Sequence, residues 1–304
     1  MKEACLYADI DGCLFKRSEL KGKKIMNLWD LFVALVLGIV EGLTEYAPVS
    51  STGHMIIVDD LWLKSKEIIT PEAANTFKVV IQLGSILAVM IVFKDRILNL
   101  LGLKKNITEE QKRSGHKLTI AQIAVGLVPA VILGFLFEDY IDKYLFDVRT
   151  VAVGLILGAV LMLVADWINK RKTETSSVDN MTYKQALYIG LFQCLALWPG
   201  FSRSGSTIAG GVILGLNHRA AADFTFIMAM PIMAGASFLT LVKNAEYLTT
   251  DMLPFFIVGF VSAFVVALFV VRFFLKLINK IKLVPFAIYR IILGVILFIL
   301  FMKS

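Results

Sequence analysis

The sequence predicts an all-α polytopic membrane protein made of two inverted-topology repeats, each a re-entrant helical hairpin followed by three transmembrane helices. Three observations lead there. The 304-residue chain is 58% hydrophobic and only 18% charged, against about 25% charged in an average globular protein. Apolar runs approaching the roughly 20 residues that a spanning helix needs recur at about 77–93, 118–137, 150–168, 222–242, 253–271 and 284–302. The third observation is that one polar stretch of the first half returns, altered, in the second.

Residues 1–25 are polar and of mixed charge, with no apolar core of signal-peptide length, and Met26-Asn-Leu-Trp29 reads like the start of a membrane protein. They form an N-terminal extension, read either as residues added to the protein or as residues from an alternative start. Within it, Asp9-Ile-Asp11-Gly12 resembles the nucleophile motif of haloacid-dehalogenase-like phosphatases, but twenty-five residues cannot supply the α/β domain that motif requires. The first repeat is assigned to 26–168 and the second to 169–304.

From Trp29 a helical run reaches Tyr46 and stops before Pro48. A second run begins after the N-cap cluster Ser50-Ser51-Thr52 and lasts to about Leu63. Thirteen residues at about 1.5 Å each give roughly 20 Å, less than the ~30 Å hydrocarbon core, so 29–63 is expected to re-enter rather than span. Its non-helical turn must then be buried in protein or wetted. The second hairpin, 183–217, has an equally short second arm from about Ser204 to Leu216.

Lys94 to Lys117 carries seven Lys/Arg against three acids, and Glu138 to Arg149 four acids against two bases. By the positive-inside rule the first connection is cytoplasmic and the second external, and the basic segments at Lys170-Arg171-Lys172 and Arg272 to Lys282 fall inside on the same count. One exception stands: this scheme puts the N-terminus outside, whereas Lys21 to Lys24 favour the cytoplasm. The net charge of +7 therefore marks topology, not nucleic-acid binding, because the bases sit in short connections. Cys5, Cys13 and Cys194 have neither disulfide-framework nor metal-ligand spacing.

The repeat lays Gly38-Ile-Val-Glu-Gly-Leu-Thr-Glu-Tyr-Ala-Pro-Val-Ser-Ser-Thr-Gly53 over Gly190-Leu-Phe-Gln-Cys-Leu-Ala-Leu-Trp-Pro-Gly-Phe-Ser-Arg-Ser-Gly205, an offset of 190 − 38 = 152. Glu41 matches Gln193, Tyr46 matches Trp198, Ser50 matches Ser202 and Ser51 matches Arg203; Val125-Gly126 can be laid over Val258-Gly259. An odd number of spans per half inserts the second copy upside down, so the two hairpin tips are expected to meet near the midplane.

Glu41 and Glu45, four apart on one helix face, repel unless something compensates. A divalent cation, Mg²⁺ or Ca²⁺, would do so and is commonly shared with phosphate oxygens; one protonated glutamate bonding the other is the alternative. Pro199 to Thr207 offers Arg203 with the hydroxyls of Ser202, Ser204, Ser206 and Thr207 at a helix N-terminus, a setting that suits an oxyanion. The alternative is that these hydroxyls cap a helix and Arg203 pairs with Glu41 or Glu45. Three residues after Ser51, His54 is expected to reach the same site, placing a hydroxyl nucleophile beside a base and opposite an arginine, the parts of phosphoryl transfer.

These residues resemble the integral-membrane undecaprenyl-diphosphate phosphatases of bacteria, known also as bacitracin-resistance proteins. The likeness runs from Met26 to the C-terminus and is carried by Glu41-x-x-x-Glu45 with Pro48-x-Ser-Ser-Thr-Gly-His54, and by Pro199-Gly-x-Ser-Arg-Ser-x-x-Thr207. It implies hydrolysis of undecaprenyl diphosphate to undecaprenyl phosphate and inorganic phosphate in the bacterial plasma membrane, recycling the lipid carrier for peptidoglycan, with the site open to the outer face. Glu41, Glu45, Ser51, His54 and Arg203 are then the candidate catalytic groups, Glu41 and Glu45 also holding the metal. Ser50, Thr52, Gln193, Ser202, Ser204 and Thr207 are the candidate substrate-binding groups. Ser51 is expected to attack phosphorus with His54 or a glutamate as acid/base, direct attack by His54 staying open. The expected partners are a polyprenyl diphosphate and membrane lipids, with a homodimer left open. A transporter or flippase of a phosphate-bearing lipid is the rival reading.

Overall fold

The computed structural model describes residues 26–103, 116–145, 147–169 and 177–302. The extension with its Asp9–Gly12 motif, Lys21 to Lys24, and the basic Lys170–Lys172 lie outside the described residues. Everything regular among the described residues is helical. Six helices are long and apolar enough to cross a membrane: Pro71–Val92, Ile120–Phe137, Val148–Asn169, His218–Lys243, Thr250–Ile281 and Val284–Phe301. The protein is thus a multi-pass membrane protein, and the six expected runs coincide with these helices.

The chain begins with α1 (Leu28–Thr44), started by a capping box in which Asn27 Oδ1 accepts from Asp30 N at 2.9 Å and Asp30 returns the bond. After a turn, α2 (Ser51–Met55) runs on as a π-helix over Ile56–Leu63. That widened coil was not expected. Its end is secured by buried Asp59, whose carboxylate accepts from Ser65 N at 2.8 Å and Ser65 Oγ at 3.0 Å and pairs with Lys78 at 2.7 Å. A short α3 (Ser65–Ile68) leads to α4 (Pro71–Val92), capped by Thr70 with Pro71 in its first turn, then to α5 (Lys94–Leu100).

Capping boxes also start α6 (Ile120–Tyr144; Thr119 with Gln122) and α8 (Tyr183–Cys194; Thr182 with Gln185). Between them lies α7 (Val148–Asn169). A 3₁₀ turn at Leu195–Leu197 and the loop to Ser202 precede α9 (Arg203–Ile213). The chain closes with α10 (His218–Lys243), α11 (Leu253–Ile281) and α12 (Val284–Met302).

Small residues set the helix spacing, as they must where lipid tails remove the hydrophobic drive for association. The helix α1 packs on α11, and α8 packs on α6. In the first contact a Cβ at Gly38 would collide with the Gly259 carbonyl; in the second a Cβ at Gly190 would collide with the Gly126 carbonyl. The two short-armed pairs, α1–α2 and α8–α9, are thereby packed into the helical bundle, with Tyr46 buried edge-on against Phe226 of α10 at 5.0 Å between ring centroids.

Candidate active site

At the end of α1, Glu45 N donates to Glu41 O at 3.0 Å, so the two carboxylates stand one helical turn apart, both buried. Pro48 ends that helix. Ser50 then takes φ +72° and caps α2, its Oγ accepting from Gly53 N at 3.5 Å. In the second pair Ser202 takes φ +71° and caps α9, accepting from Gly205 N at 3.2 Å. A non-glycine residue held in this region costs about 1–3 kcal/mol and persists only where its surroundings over-determine it.

The turns converge on Glu45. Ser51 Oγ donates to Glu45 Oε2 at 2.7 Å, and Arg203 Nη2 donates to Glu45 Oε1 at 3.1 Å. Arg203 also stacks over the Tyr46 ring, 5.8 Å from its centroid. Ser204 Oγ lies 3.2 Å from the Ala47 carbonyl and 3.4 Å from that of Glu45, tying the two turns directly. The alternative pairing of Arg203 with a glutamate is therefore present, and the serines do cap; the question is what remains free.

Several buried polar atoms here find no hydrogen-bond partner among the described residues: Glu41 Oε1, Tyr46 Oη, Arg203 Nη1 and both amide atoms of Gln193. Buried polar groups are normally satisfied, so such a group needs an explanation. A cavity of about 280 Å³ reaches Arg203, lined on its polar side by Glu45, Ser50, Ser51, Thr52, Gln82, Ser202 and Arg203 and on its apolar side by Ala196, Pro199, Ile232, Met233 and Ala236. A second cavity of about 390 Å³ shares Ser51, Thr52 and Gln82 with the first and reaches Glu41, Asp60, Asn75, Lys66 and Lys78. Ser51 stands where the two meet.

Most of the sequence-named residues thus come together around Ser51. Gln193 is buried but lines neither cavity; Ser204 and Thr207 face protein groups, Thr207 Oγ1 donating to Arg203 O at 2.7 Å and accepting from Thr225 at 2.9 Å. His54 does not turn towards Ser51. Its Nδ1 sits 2.7 Å from the Ser50 carbonyl and its Nε2 2.6 Å from Tyr289 Oη, and it lines neither cavity. The helical spacing put it within reach, but the tyrosine of α12 takes the outward nitrogen.

Two residues escaped sequence reasoning although a signal existed. Gln82 lies inside the apolar run 77–93 and lines both cavities. Arg290, in the last run, is fully buried and donates from Nη2 to the carbonyls of Gly200 at 3.0 Å and Phe201 at 2.7 Å. A polar residue at membrane depth is a functional candidate by default.

Against known families, residues 34–296 match the model described as bacitracin resistance protein BacA. The chain belongs to that family. Among similar proteins, the undecaprenyl-diphosphatase of Bacillus subtilis is 79% identical over 277 residues, covering 91% of this chain and all of that protein. Undecaprenyl-diphosphatase 2 of Bacillus licheniformis is 83% identical, and the undecaprenyl-diphosphatase of Geobacillus kaustophilus 61%, over the same shares of both chains. The family match spans both turns and every residue of the site.

Proposed function

We propose that this protein hydrolyses undecaprenyl diphosphate to undecaprenyl phosphate and inorganic phosphate, recycling the lipid carrier for peptidoglycan synthesis and conferring bacitracin resistance. The observation that carries the reading is the hydroxyl of Ser51 committed to Glu45 on the wall of the cavity, with Arg203 on the other carboxylate oxygen. Family membership and relatives bearing the name undecaprenyl-diphosphatase support it.

In this mechanism Ser51 Oγ attacks the terminal phosphorus as its proton passes to Glu45. The bond from phosphorus to the bridging oxygen breaks, undecaprenyl phosphate departs and takes that proton, and the restored carboxylate then activates water to cleave the phosphoserine. Arg203 Nη1 is the free donor for the phosphoryl oxygens, whose developing charge it stabilises. The apolar wall of Ala196, Pro199, Ile232, Met233 and Ala236 offers the prenyl chain a route towards lipid.

A divalent cation, Mg²⁺ or Ca²⁺, fits the partnerless Glu41 Oε1, and Glu45 stands one turn away. Among the described residues no third His, Cys, Asp or Glu joins them, so substrate oxygens and water would complete its shell. Once bound, the ion would neutralise the carboxylate pair and draw charge from the phosphate.

Three features support the inverted-repeat reading. Gly38 and Gly190, 152 residues apart, each meet a glycine across the helix contact, and those partners, Gly259 and Gly126, are themselves equivalent in the repeat. Ser50 and Ser202 share one unusual backbone conformation. Each short-armed pair packs on the second span of the opposite half. In this reading the hairpins re-enter a bacterial plasma membrane from opposite sides, and the basic ends of α4 and α11 face the cytoplasm, leaving the site open outside. The same symmetry favours a second reading, movement of a phosphate-bearing lipid.

The test is phosphate release by purified protein in detergent. Ser51→Ala, Glu45→Gln and Arg203→Ala are expected to lose turnover. Full turnover in Ser51→Ala overturns the nucleophile, full turnover in all three overturns the site, and lipid movement across liposomes by a hydrolysis-dead variant favours the second reading.

A further inference from the structure

Two neighbouring residues of α12 reach the two turns of the site, one through His54 and one directly. Tyr289 Oη meets His54 Nε2 at 2.6 Å, the two rings stacked 5.6 Å apart at 11°. His54 Nδ1 in turn lies 2.7 Å from the Ser50 carbonyl. A carbonyl can only accept, so Nδ1 carries the hydrogen, and in the neutral ring Nε2 accepts from the phenol. The ring is thus spent on fixing the carbonyl of Ser50, the residue at φ +72° immediately before Ser51.

Arg290 does the same for the other turn. Its Nη2 spans the Gly200 and Phe201 carbonyls, just before Ser202 at φ +71° and Arg203. The protein makes room for this guanidinium: a Cβ at Gly205, in the first turn of α9, would lie 2.5 Å from Nη1, and one at Gly158 of α7 would collide with Nη2. Its charge is met by carbonyl oxygens, with no carboxylate paired to it among the described residues. A buried arginine spent on backbone carbonyls at membrane depth costs enough to need a purpose.

We propose that Tyr289 and Arg290 form a yoke that sets the separation of the two turns, Tyr289 acting through His54 on the Ser50–Ser51 turn and Arg290 acting on the Gly200–Arg203 turn. They are positioning residues, and so is His54; none of the three lines the cavities. The consequence is that Ser51 and Arg203, from opposite halves of the chain, meet one carboxylate in a fixed geometry. This inference rests on the phosphatase reading for its kinetic arm but not for its structural arm.

The structural arm is hydrogen–deuterium exchange of the purified protein. Tyr289→Phe is expected to raise exchange in residues 45–55 and leave 198–206 unchanged, and Arg290→Lys, which keeps the charge but loses the fork, to do the reverse. Unchanged exchange in both variants overturns the yoke. The kinetic arm is phosphate release from undecaprenyl diphosphate. Tyr289→Phe removes one oxygen atom and is expected to lower kcat between about tenfold and a hundredfold, the effect of a small misplacement of reacting groups, with KM and the pH profile of kcat kept. His54→Asn, whose amide can donate to the Ser50 carbonyl in place of Nδ1, is expected to recover about tenfold over His54→Ala. A displaced pH profile in Tyr289→Phe, or His54→Asn no better than His54→Ala, overturns the positioning role and assigns the ring to proton transfer or attack. Should Arg290→Lys fail to fold, the Tyr289→Phe exchange result decides. Retained turnover in Ser51→Ala and Arg203→Ala defeats the phosphatase site instead, and the exchange result then judges the yoke alone.

Discussion

Arg203 and Glu45, 158 residues apart, are joined at 3.1 Å between Nη2 and Oε1, the carboxylate buried and the guanidinium mostly so. In the proposed mechanism the carboxylate serves Ser51 only with this partner, because an unpaired buried charge is strongly disfavoured. Nor can the arginine rest, since Nη1 remains without a partner. Arg203→Lys keeps the charge but offers a point donor where two directed N–H groups are used. We expect it to retain the fold and lose about a hundredfold or more in kcat, in line with removal of one transition-state donor. Steady-state phosphate release checks this, and turnover within a factor of about two of wild type would remove Arg203 from the chemistry.

The second prediction concerns Glu41, whose Oε1 is buried without a partner beside Glu45. If the pair shares a cation, chelator abolishes phosphate release and added Mg²⁺ or Ca²⁺ restores it. Glu41→Gln then needs more than about tenfold more metal for half-restoration, an effect typical of weakening a metal's surroundings. Turnover that ignores chelator in the wild type contradicts the cation and leaves a shared proton to explain the pair.

The sequence made the helical plan legible because spanning length and polar interruption are local properties. The sequence predicts a helix from Trp29 to Tyr46, which forms over Leu28–Thr44, and an arm after Ser50 to about Leu63, which ends there. What local pattern could not reveal is tertiary. The π-helix over Ile56–Leu63 carries Asp59, which pairs with Lys78, nineteen positions along the chain in another helix. His54 shares a helix with Ser51, yet its ring is claimed by Tyr289 from the far end of the sequence. Arg290 is a charge within an apolar run, and its use is tertiary, since the Gly200 and Phe201 carbonyls it serves lie about ninety positions earlier in the chain.

A third prediction separates stability from chemistry. Buried Asp166 of α7 accepts from Leu283 N at 2.9 Å and Val284 N at 3.0 Å, capping α12, and meets His218 Nε2 at 2.6 Å. Asp166→Ala strands these groups, each at a cost of about 1–3 kcal/mol. Asp166→Asn keeps one acceptor oxygen and should lose less. Thermal unfolding in detergent should rank wild type above Asn above Ala, while turnover per folded molecule stays near normal because the residue lines neither site cavity. A loss of turnover without loss of stability would show that α12 transmits more than support.

The last prediction tests the two glycine contacts as a pair. Gly38 faces the Gly259 backbone and Gly190 the Gly126 backbone, in each case with no room for a methyl group. Backbone cannot swing aside as a side-chain end can, so Gly38→Ala and Gly190→Ala must each push two helices apart, an overpacking that typically costs about 1–3 kcal/mol. The displaced helices carry the turns: α1 leads into Glu45, and α8 leads into the loop before Ser202. We therefore expect both variants to melt earlier and to lose kcat together, since either shift moves one half of the site relative to the other. Gly235 is the control, because a Cβ there meets nothing within 4 Å. Gly235→Ala should change neither property. If Gly38→Ala and Gly190→Ala differed widely, one fully active and one inactive, the two contacts would not be equivalent and the repeat would describe the sequence without governing the site.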